Sequence, residues 1–155
     1  MSTPQDVVSE WNHKHSLEAT RPDWDAYFLL IAQAVAYRAD CRRAKFGAVI
    51  VDQEQRIVST GYNGAPRKSG SCLAGECPRG LLSREEQPSH ADGVLGAQDF
   101  SNCISLHAEM NAIAYAGYTP GGTIYIASLD RDHCVPCDMC GKLIKAAGIE
   151  RVVCQ

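Results

Sequence analysis

Two short stretches that lie far apart in the chain most constrain how it can fold. His107 and Glu109 stand at the start of one predicted helix, and Cys137 and Cys140 follow Pro136 at the start of another. One imidazole nitrogen and two thiolate sulfurs are ligands that zinc prefers, and three protein ligands leave a fourth tetrahedral position for water. A helix N-terminus favours thiolates, and proline suits the first helical turn. The fold must therefore bring two helix starts together around one metal ion.

Glu109 has a position that suits proton transfer. It follows His107 by two residues, so its carboxylate reaches a metal-bound water without being a ligand itself. Zinc lowers the pKa of bound water to about 7, which makes hydroxide available at neutral pH. The order H-x-E followed by P-C-x-x-C is the signature of zinc-dependent nucleobase deaminases. The non-catalytic alternative is a closed zinc site in which His133 or Cys134 supplies the fourth ligand.

The size and composition of the chain indicate one globular domain. The chain has 155 residues, of which 45% are hydrophobic and 21% are charged. This length gives one domain a proper core and is too short for two. We expect an N-terminal extension over residues 1–22 and a single catalytic domain over residues 23–155.

Charge and hydropathy limit the classes of partner. The formal net charge is −3, without the basic excess of a protein that grips a nucleic-acid backbone, so a small-molecule substrate is favoured over nucleic acid. No apolar run approaches the roughly 20 residues that span a membrane. The polar N-terminus lacks the pattern of a signal peptide, so we expect a cytoplasmic protein without a membrane partner.

Hydrophobic periodicity predicts helices that alternate with strands. The predicted helices cover residues 4–12, 24–38, 105–116 and 136–147, and the predicted strands cover 46–51, 56–62, 122–128 and 150–154. Helices between the later strands imply crossover connections and a layered α/β sheet. Residues 67–102 show no periodic pattern, and so long an irregular segment in a compact domain indicates a functional insertion or one pinned by metal.

A second set of cysteines is available to hold such a segment. Of eight cysteines, four lie outside both residues 129–140 and the C-terminal end: Cys41, Cys72, Cys77 and Cys103. Without an export signal, metal binding is favoured over disulfides. Four thiolates would form a closed structural zinc site, with His90 as an alternative ligand for one of them. Buried free thiols explain the same residues equally well, and spacing alone does not decide.

From Asp23 to Cys154 the sequence resembles the deoxycytidylate (dCMP) deaminase family, especially its bacterial late-competence operon members. The matching pieces are FGAVIV at 46–51, GYNG at 61–64, Cys72, Cys77, Cys103, HAEMNAI at 107–113, PCxxC at 136–140 and AGI at 147–149. The resemblance implies a three-layer α/β/α cytidine deaminase-like fold with a central mixed sheet and a catalytic zinc. It also implies a second zinc in the long loop, which favours the set Cys41, Cys72, Cys77 and Cys103.

The resemblance further implies hydrolysis of dCMP to dUMP with release of ammonia, in pyrimidine nucleotide metabolism. In that reaction Glu109 takes a proton from the zinc-bound water, passes it to N3 of cytosine and then protonates the departing ammonia, while hydroxide attacks C4. The family pattern implies that Asn63 contacts the sugar and the Ala108 backbone contacts the base. Basic candidates for the phosphate are Arg67, Lys68 and Arg84. The resemblance also implies a homo-oligomer, since many members of the family are hexamers, and several members respond to dCTP and dTTP.

One segment departs from the family pattern and keeps other functions open. Residues 129–135 lengthen the approach to Pro136, and the acids Asp130 and Asp132 do not favour a phosphate by themselves. The altered loop could admit a nucleoside, a free base or a modified nucleotide. Deamination of adenosine in tRNA is disfavoured by the acidic balance and by the GYNG loop. A non-catalytic zinc-binding module is disfavoured by Glu109, because a structural site has no use for a proton carrier.

Overall fold

The computed structural model describes residues 3, 5–6, 9, 21–83, 102–132 and 134–155. Its elements are α1 (Trp24–Ala36), β1 (Phe46–Val51), β2 (Ile57–Tyr62), α2 (Pro78–Leu81), α3 (Ala108–Ala116), β3 (Thr123–Ser128), α4 (Asp138–Ala146) and β4 (Arg151–Cys154). The predicted order of long helices and strands is confirmed, and the short helix α2 is an addition inside the irregular segment. None of the described helices has the length and apolar character needed to cross a membrane.

The helix predicted for residues 4–12 lies mostly outside the described residues. Thr3 and Asp6 form a capping box at its start: the backbone N–H of Asp6 donates to Oγ1 of Thr3 at 3.0 Å, and the backbone N–H of Thr3 donates to Oδ2 of Asp6 at 2.5 Å. Such a reciprocal pair satisfies two of the donors that a helix N-terminus leaves unpaired.

The described strands form one mixed sheet in the order β2-β1-β3-β4. Strand β1 is antiparallel to both β2 and β3, whereas β3 and β4 are parallel. A parallel pair needs a crossover connection, and α4 supplies it between β3 and β4. The antiparallel pair β1–β2 is joined by the short turn at residues 52–56.

Helices cover both faces of this sheet, which confirms the predicted three-layer α/β/α fold. Strand β1 is buried from Gly47 onward, and its side chains alternate between two cores. Ala48 and Ile50 pack in a core with residues of α3 and α4. Val49 and Val51 pack in a second core with Phe28 and Ala32 of α1. The continuous apolar run of β1 therefore reflects burial on both faces.

Two glycines let the helices approach the sheet closely. A Cβ atom on Gly47 would lie 2.1 Å from a backbone oxygen of α1. A Cβ atom on Gly61 would lie 2.3 Å from the backbone nitrogen of Ala112 and 2.4 Å from the carbonyl oxygen of Ala108, both in α3. Oγ of Ser59 also donates to the carbonyl oxygen of Ala112 at 2.7 Å. These contacts seat α3 directly on β2.

Candidate metal centre

The structure brings one imidazole and two thiols together at the starts of α3 and α4. Nδ1 of His107 lies 3.5 Å from Sγ of Cys137 and 3.4 Å from Sγ of Cys140. A tetrahedral zinc with nitrogen at about 2.0 Å and sulfur at about 2.3 Å holds such atoms roughly 3.6 Å apart. Over residues 21–83, 102–132 and 134–155, no other group of three His, Cys, Asp or Glu ligand atoms comes as close together. The donor set and its spacing therefore fit zinc.

His107 and Cys137 both occupy the N-cap position, one residue before their helices. Their backbones are extended, with φ −69° and ψ 157° at His107 and φ −67° and ψ 166° at Cys137. The sequence had predicted helices that begin at residues 105 and 136, so Pro136 precedes the N-cap and is not the first helical residue. Sγ of Cys137 accepts the backbone N–H of Cys140 at 3.5 Å. The unpaired N–H groups of both helices thus face the ligands and favour thiolates.

Glu109 lies beside the ligands and is not one of them. Its side chain is 6% exposed, Cys140 is completely buried, and the carboxylate lies outside the three-atom group. Burial, followed by the charge of Glu109, raises the pKa of the Cys140 thiol. A buried thiol and a nearby buried carboxylate form an arrangement that a divalent cation stabilises. The burial of these two groups therefore also fits a metal ion at this site.

The loop after β2 is fixed to the start of α3. Gly64 and Leu106 exchange two backbone hydrogen bonds of 3.1 and 2.9 Å. Nδ2 of Asn111 donates to the carbonyl oxygen of Tyr62 at 2.8 Å. Sequence reasoning gave Asn111 no role of its own. A polar side chain one helical turn after His107 was the available signal, because residues four apart share a helix face.

Asn63 holds the start of β1. Its Oδ1 accepts the backbone N–H of Phe46 at 2.8 Å, and its Nδ2 donates to the carbonyl oxygen of Ala44 at 2.8 Å. The side chain is buried, with 7% exposure. An amide has two N–H groups and two oxygen lone pairs, so one of each remains for another partner. The contact with a sugar that the resemblance implies stays a prediction.

The other candidate substrate contacts differ in accessibility. Ala108 is completely buried and is the first residue of α3, where backbone N–H groups lack helical partners. Arg67 and Lys68 are exposed in a turn that the backbone hydrogen bond from Ser69 to Pro66 closes at 2.9 Å. Lys68 has φ +68°, a conformation uncommon for a residue with a side chain. Arg84 and His90 lie outside the described residues.

Two described residues of the lengthened segment 129–135 are anchored on β3 and on Lys45, the residue before β1. The Asp130 carboxylate accepts the backbone N–H of Lys45 at 3.1 Å and the hydroxyl of Ser128 at 3.0 Å. Sγ of Cys134 donates to the carbonyl oxygen of Ile126 at 3.2 Å, and Cys134 is not among the three grouped ligands. The closed site with Cys134 as fourth ligand is therefore not what the structure shows. His133 lies outside the described residues.

The four remaining predicted ligands also approach one another, but more loosely. Cys72 and Cys77 are buried, and the thiols of Cys72 and Cys103 each act on the pKa of the Cys77 thiol. The charge of Cys41 acts on Cys72. No three of these sulfurs form a group as tight as the one at His107. We refer to Cys41, Cys72, Cys77 and Cys103 as the cysteine cluster.

Backbone N–H groups point at the sulfurs of the cysteine cluster. The N–H of Arg43 donates to Sγ of Cys41 at 3.4 Å. Burial opposes ionisation of Cys77, but N–H groups of Ile104 and Gly80 lower its pKa overall. Burial raises the pKa of the Cys72 thiol to about 11. Donors aimed at sulfur favour thiolates, whereas burial without a cation disfavours them.

Asp40 joins the cysteine cluster to the loop after β2. Its carboxylate accepts the hydroxyl of Ser71 at 2.9 Å and the backbone N–H of Leu73 at 3.0 Å, on either side of Cys72. Its backbone N–H donates to the carbonyl oxygen of Asn63 at 2.9 Å. The segment that carries Cys72 is thus tied through Asp40 to the loop that reaches α3.

The sequence of this chain is similar to those of known zinc-binding proteins. The sequence model of the cytidine and deoxycytidylate deaminase zinc-binding region matches residues 22–155. The deoxycytidylate deaminase of Mycobacterium phage D29 is 43% identical over 140 residues, covering 86% of this chain and 95% of the phage protein. That of Saccharomyces cerevisiae is 36% identical over 151 residues, covering 97% of this chain but 43% of the yeast protein.

A solved structure shares the fold. The dCMP deaminase of cyanophage S-TIM5, in complex with dCMP and dUMP, has a TM-score of 0.59 and 22% sequence identity over 87% of this chain and 82% of that one. At this identity the likeness concerns the fold alone, and it agrees with the mixed sheet between helix layers. The family model and the phage relative confirm the resemblance found in the sequence. The chain therefore belongs to the cytidine and deoxycytidylate deaminase family, with its zinc-binding region.

Proposed function

We propose that this protein is a zinc-dependent hydrolase that converts dCMP to dUMP and ammonia. The observation that carries the proposal is the group of His107, Cys137 and Cys140 at zinc-ligand spacing, with the buried Glu109 carboxylate beside it. The relatives with the highest identity quoted above are named deoxycytidylate deaminases, which supports the same substrate here.

His107, Cys137 and Cys140 would hold the zinc. The bound ion supplies Lewis-acid activation of a water molecule at neutral pH. Glu109 carries the protons: it accepts one from the attacking water and delivers it to N3 of the cytosine ring, then takes the proton of the new hydroxyl group on C4 and passes it to the departing amino group, so that a carbonyl forms at C4 as ammonia leaves. Its 6% exposure keeps bulk water from competing for these protons. Because Glu109 must release as well as accept a proton, a carboxylate is required at this position.

Substrate recognition involves the start of α3 and the loop after β2. The Ala108 backbone contacts the base, and the remaining N–H or lone pair of Asn63 contacts the sugar. The exposed Arg67 and Lys68 bind the phosphate, because a dianion that leaves water needs cationic or N–H partners. The Asp130 carboxylate accepts hydrogen bonds from the backbone N–H of Lys45 and the hydroxyl of Ser128. These donors partly offset its negative charge, so it repels a phosphate less.

The test of the substrate compares kcat/KM for dCMP, CMP, deoxycytidine and cytosine. We expect dCMP to be the best substrate and deoxycytidine to be much poorer. Lys68→Ala should raise KM for dCMP and leave deoxycytidine unchanged. Lys145→Ala, at an exposed lysine in the last turn of α4, is the matched control. Equal or faster turnover of deoxycytidine would mean that the segment 129–135 serves another substrate.

We further propose that the cysteine cluster binds a second, structural zinc. The backbone donors aimed at its sulfurs and the mutual approach of Cys72, Cys77 and Cys103 support this arrangement. A zinc ion would offset the burial that raises the pKa of Cys72. Metal analysis of purified protein should give two zinc ions per chain. A single zinc ion per chain would mean instead that the four cysteines of the cluster are buried free thiols.

We also propose that the protein forms a homo-oligomer. Large apolar side chains are exposed on the edge strand β2 and at the end of α3, namely Ile57 (45%), Val58 (42%), Tyr115 (78%) and Tyr118 (75%). Large apolar side chains exposed in this number favour a surface that another chain covers. Light scattering coupled to size-exclusion chromatography tests the assembly, and a monomer at micromolar concentration would contradict it.

A further inference from the structure

We propose that Cys134 and Cys154 form a reversible redox pair, which closes a disulfide under peroxide while the zinc ligands remain thiolates. Both cysteines lie outside the His107 group and outside the cysteine cluster, and both are free thiols. The proposed catalysis uses neither of them. The pair is a covalent modification site next to the catalytic centre.

The fold places the two thiols side by side. Sγ of Cys134 donates to the carbonyl oxygen of Ile126 at 3.2 Å, and Cys154 is the register partner of Ile126 in the parallel pair β3–β4. The backbone N–H of Gln155 donates to the same carbonyl at 3.1 Å. The thiols of Cys134 and Cys154 also shift each other's pKa, and both residues pack against the same core. Neighbouring thiols on one core need little movement to reach disulfide geometry.

The two thiols have different chemical roles. The neighbouring Cys154 thiol lowers the pKa of Cys134, whereas the Cys134 thiol, together with burial, raises the pKa of Cys154. Cys134 is therefore the nucleophile and Cys154 the resolving thiol. Cys134 is 8% exposed and Cys154 is partly exposed, so a small oxidant can reach the pair from the surface.

The oxidation balances with hydrogen peroxide as the oxidant. The Cys134 thiolate attacks one peroxide oxygen, the O–O bond breaks, and the sulfenic acid of Cys134 and water result once a proton is added. The Cys154 sulfur then attacks the Cys134 sulfur, the S–O bond breaks, and the S–S bond forms with release of a second water. In sum, two thiols lose two protons and two electrons, and one peroxide becomes two waters. A dithiol reductant reverses the change.

The disulfide would tie the approach to Cys137 to the end of β4. It closes a loop of 21 residues, from position 134 to position 154 inclusive. Loops of this size stabilise a fold when they are closed, mainly by restricting the unfolded chain. The pair also lies close enough to Glu109 for the charge of that carboxylate to act on both thiols. Oxidation thus stiffens the segment that leads into the proposed zinc ligands.

The experiment treats the zinc-loaded protein with a small molar excess of hydrogen peroxide, then measures zinc content, cross-linked peptides and the melting temperature. We expect a peptide that joins Cys134 to Cys154, unchanged zinc per chain, and a melting temperature raised by about 5–10 °C, all reversed by dithiothreitol. In Cys154→Ser the cross-link and the shift should be absent, and dimedone should label Cys134 as a sulfenic acid.

Two results would overturn the inference. One is oxidation of Cys137 or Cys140 with zinc loss before any bond between Cys134 and Cys154 appears. The other is retention of both free thiols while zinc stays bound and the exposed Met139 is already oxidised. Neither result bears on deamination of dCMP, which the substrate comparison tests separately.

Discussion

The two sets of predicted metal ligands in this protein are built from different kinds of structure. His107, Cys137 and Cys140 stand at or next to the N-caps of helices that pack on a buried sheet, and Nδ1 of His107 lies 3.5 and 3.4 Å from the two sulfurs. The cysteine cluster lies on connecting segments and on the edge of the four-residue helix α2. Its sulfurs approach one another without reaching the same spacing.

The difference shows how a fold can set ligand geometry before a metal binds. The helices α3 and α4 are fixed by apolar packing against β1 and β3, so their first residues have little freedom. The segment that carries Cys72 depends instead on polar contacts with Asp40 and Arg42. We therefore expect the first site to keep its ligand geometry without metal. The geometry of the cysteine cluster should instead depend on a bound metal ion.

The largest expected effect tests the chemistry of the first site. Glu109→Gln should keep the fold and the zinc but lower turnover by roughly 10²–10⁴-fold, because glutamine cannot carry the proton. Steady-state kinetics with measured zinc content checks this. Glu150→Gln, at an exposed glutamate before β4, is the matched control and should leave turnover unchanged. Near-normal activity of zinc-loaded Glu109→Gln would remove Glu109 from the mechanism.

The next effect separates the two sets of ligands. Cys72→Ser should reduce the metal content from two zinc ions towards one and destabilise the protein by about 4 kcal/mol, since loss of a bound metal is among the largest single-residue effects. The remaining zinc should still support residual turnover. Cys154→Ser, outside both sets, should keep both ions. Unchanged metal content in Cys72→Ser, measured by mass spectrometry of metals, would contradict the proposed structural zinc.

A smaller effect tests whether packing fixes the first site. Gly61→Ala places a Cβ atom 2.3 Å from the backbone of Ala112, so α3 must shift, at a cost of about 1–3 kcal/mol in stability. Turnover should fall as well, because Glu109 moves with α3. Gly141→Ala in α4 meets nothing within 4 Å and should gain about 0.5–1 kcal/mol from helix propensity. Equal melting temperatures for the two variants would contradict the packing argument.

The smallest effect concerns the support of the cysteine cluster. Asp40→Ala removes acceptors for Ser71 and Leu73 and should cost about 1 kcal/mol, while speeding zinc release to a chelator. Asp52→Ala removes two backbone hydrogen bonds in the turn between β1 and β2 and serves as the control. It should lower stability similarly without changing the release rate. Identical release from both variants would show that Asp40 does not support the cluster.

The local elements and the identity of the first site could be predicted from the sequence because their causes are local. Alternating or continuous apolar residues predicted β1 and β3. The helical spacing of apolar residues predicted α1, α3 and α4 to within a few residues. The order H-x-E and P-C-x-x-C named three ligand types and a proton carrier. Boundaries were less accurate, because His107 and Cys137 act as N-caps and the pattern does not distinguish a cap from a first turn.

The sequence alone determined the zinc-ligand chemistry, the α/β layers and the family, since these depend on residue types and their periodic order. Only the tertiary structure decided which groups meet. In the fold, the Asp130 carboxylate accepts the backbone N–H of Lys45, and the amide oxygen of Asn63 accepts the backbone N–H at the start of β1. Cys134 lies beside Cys154. Such pairings join residues distant in sequence, and they follow from how strands and helices pack, which no local pattern records.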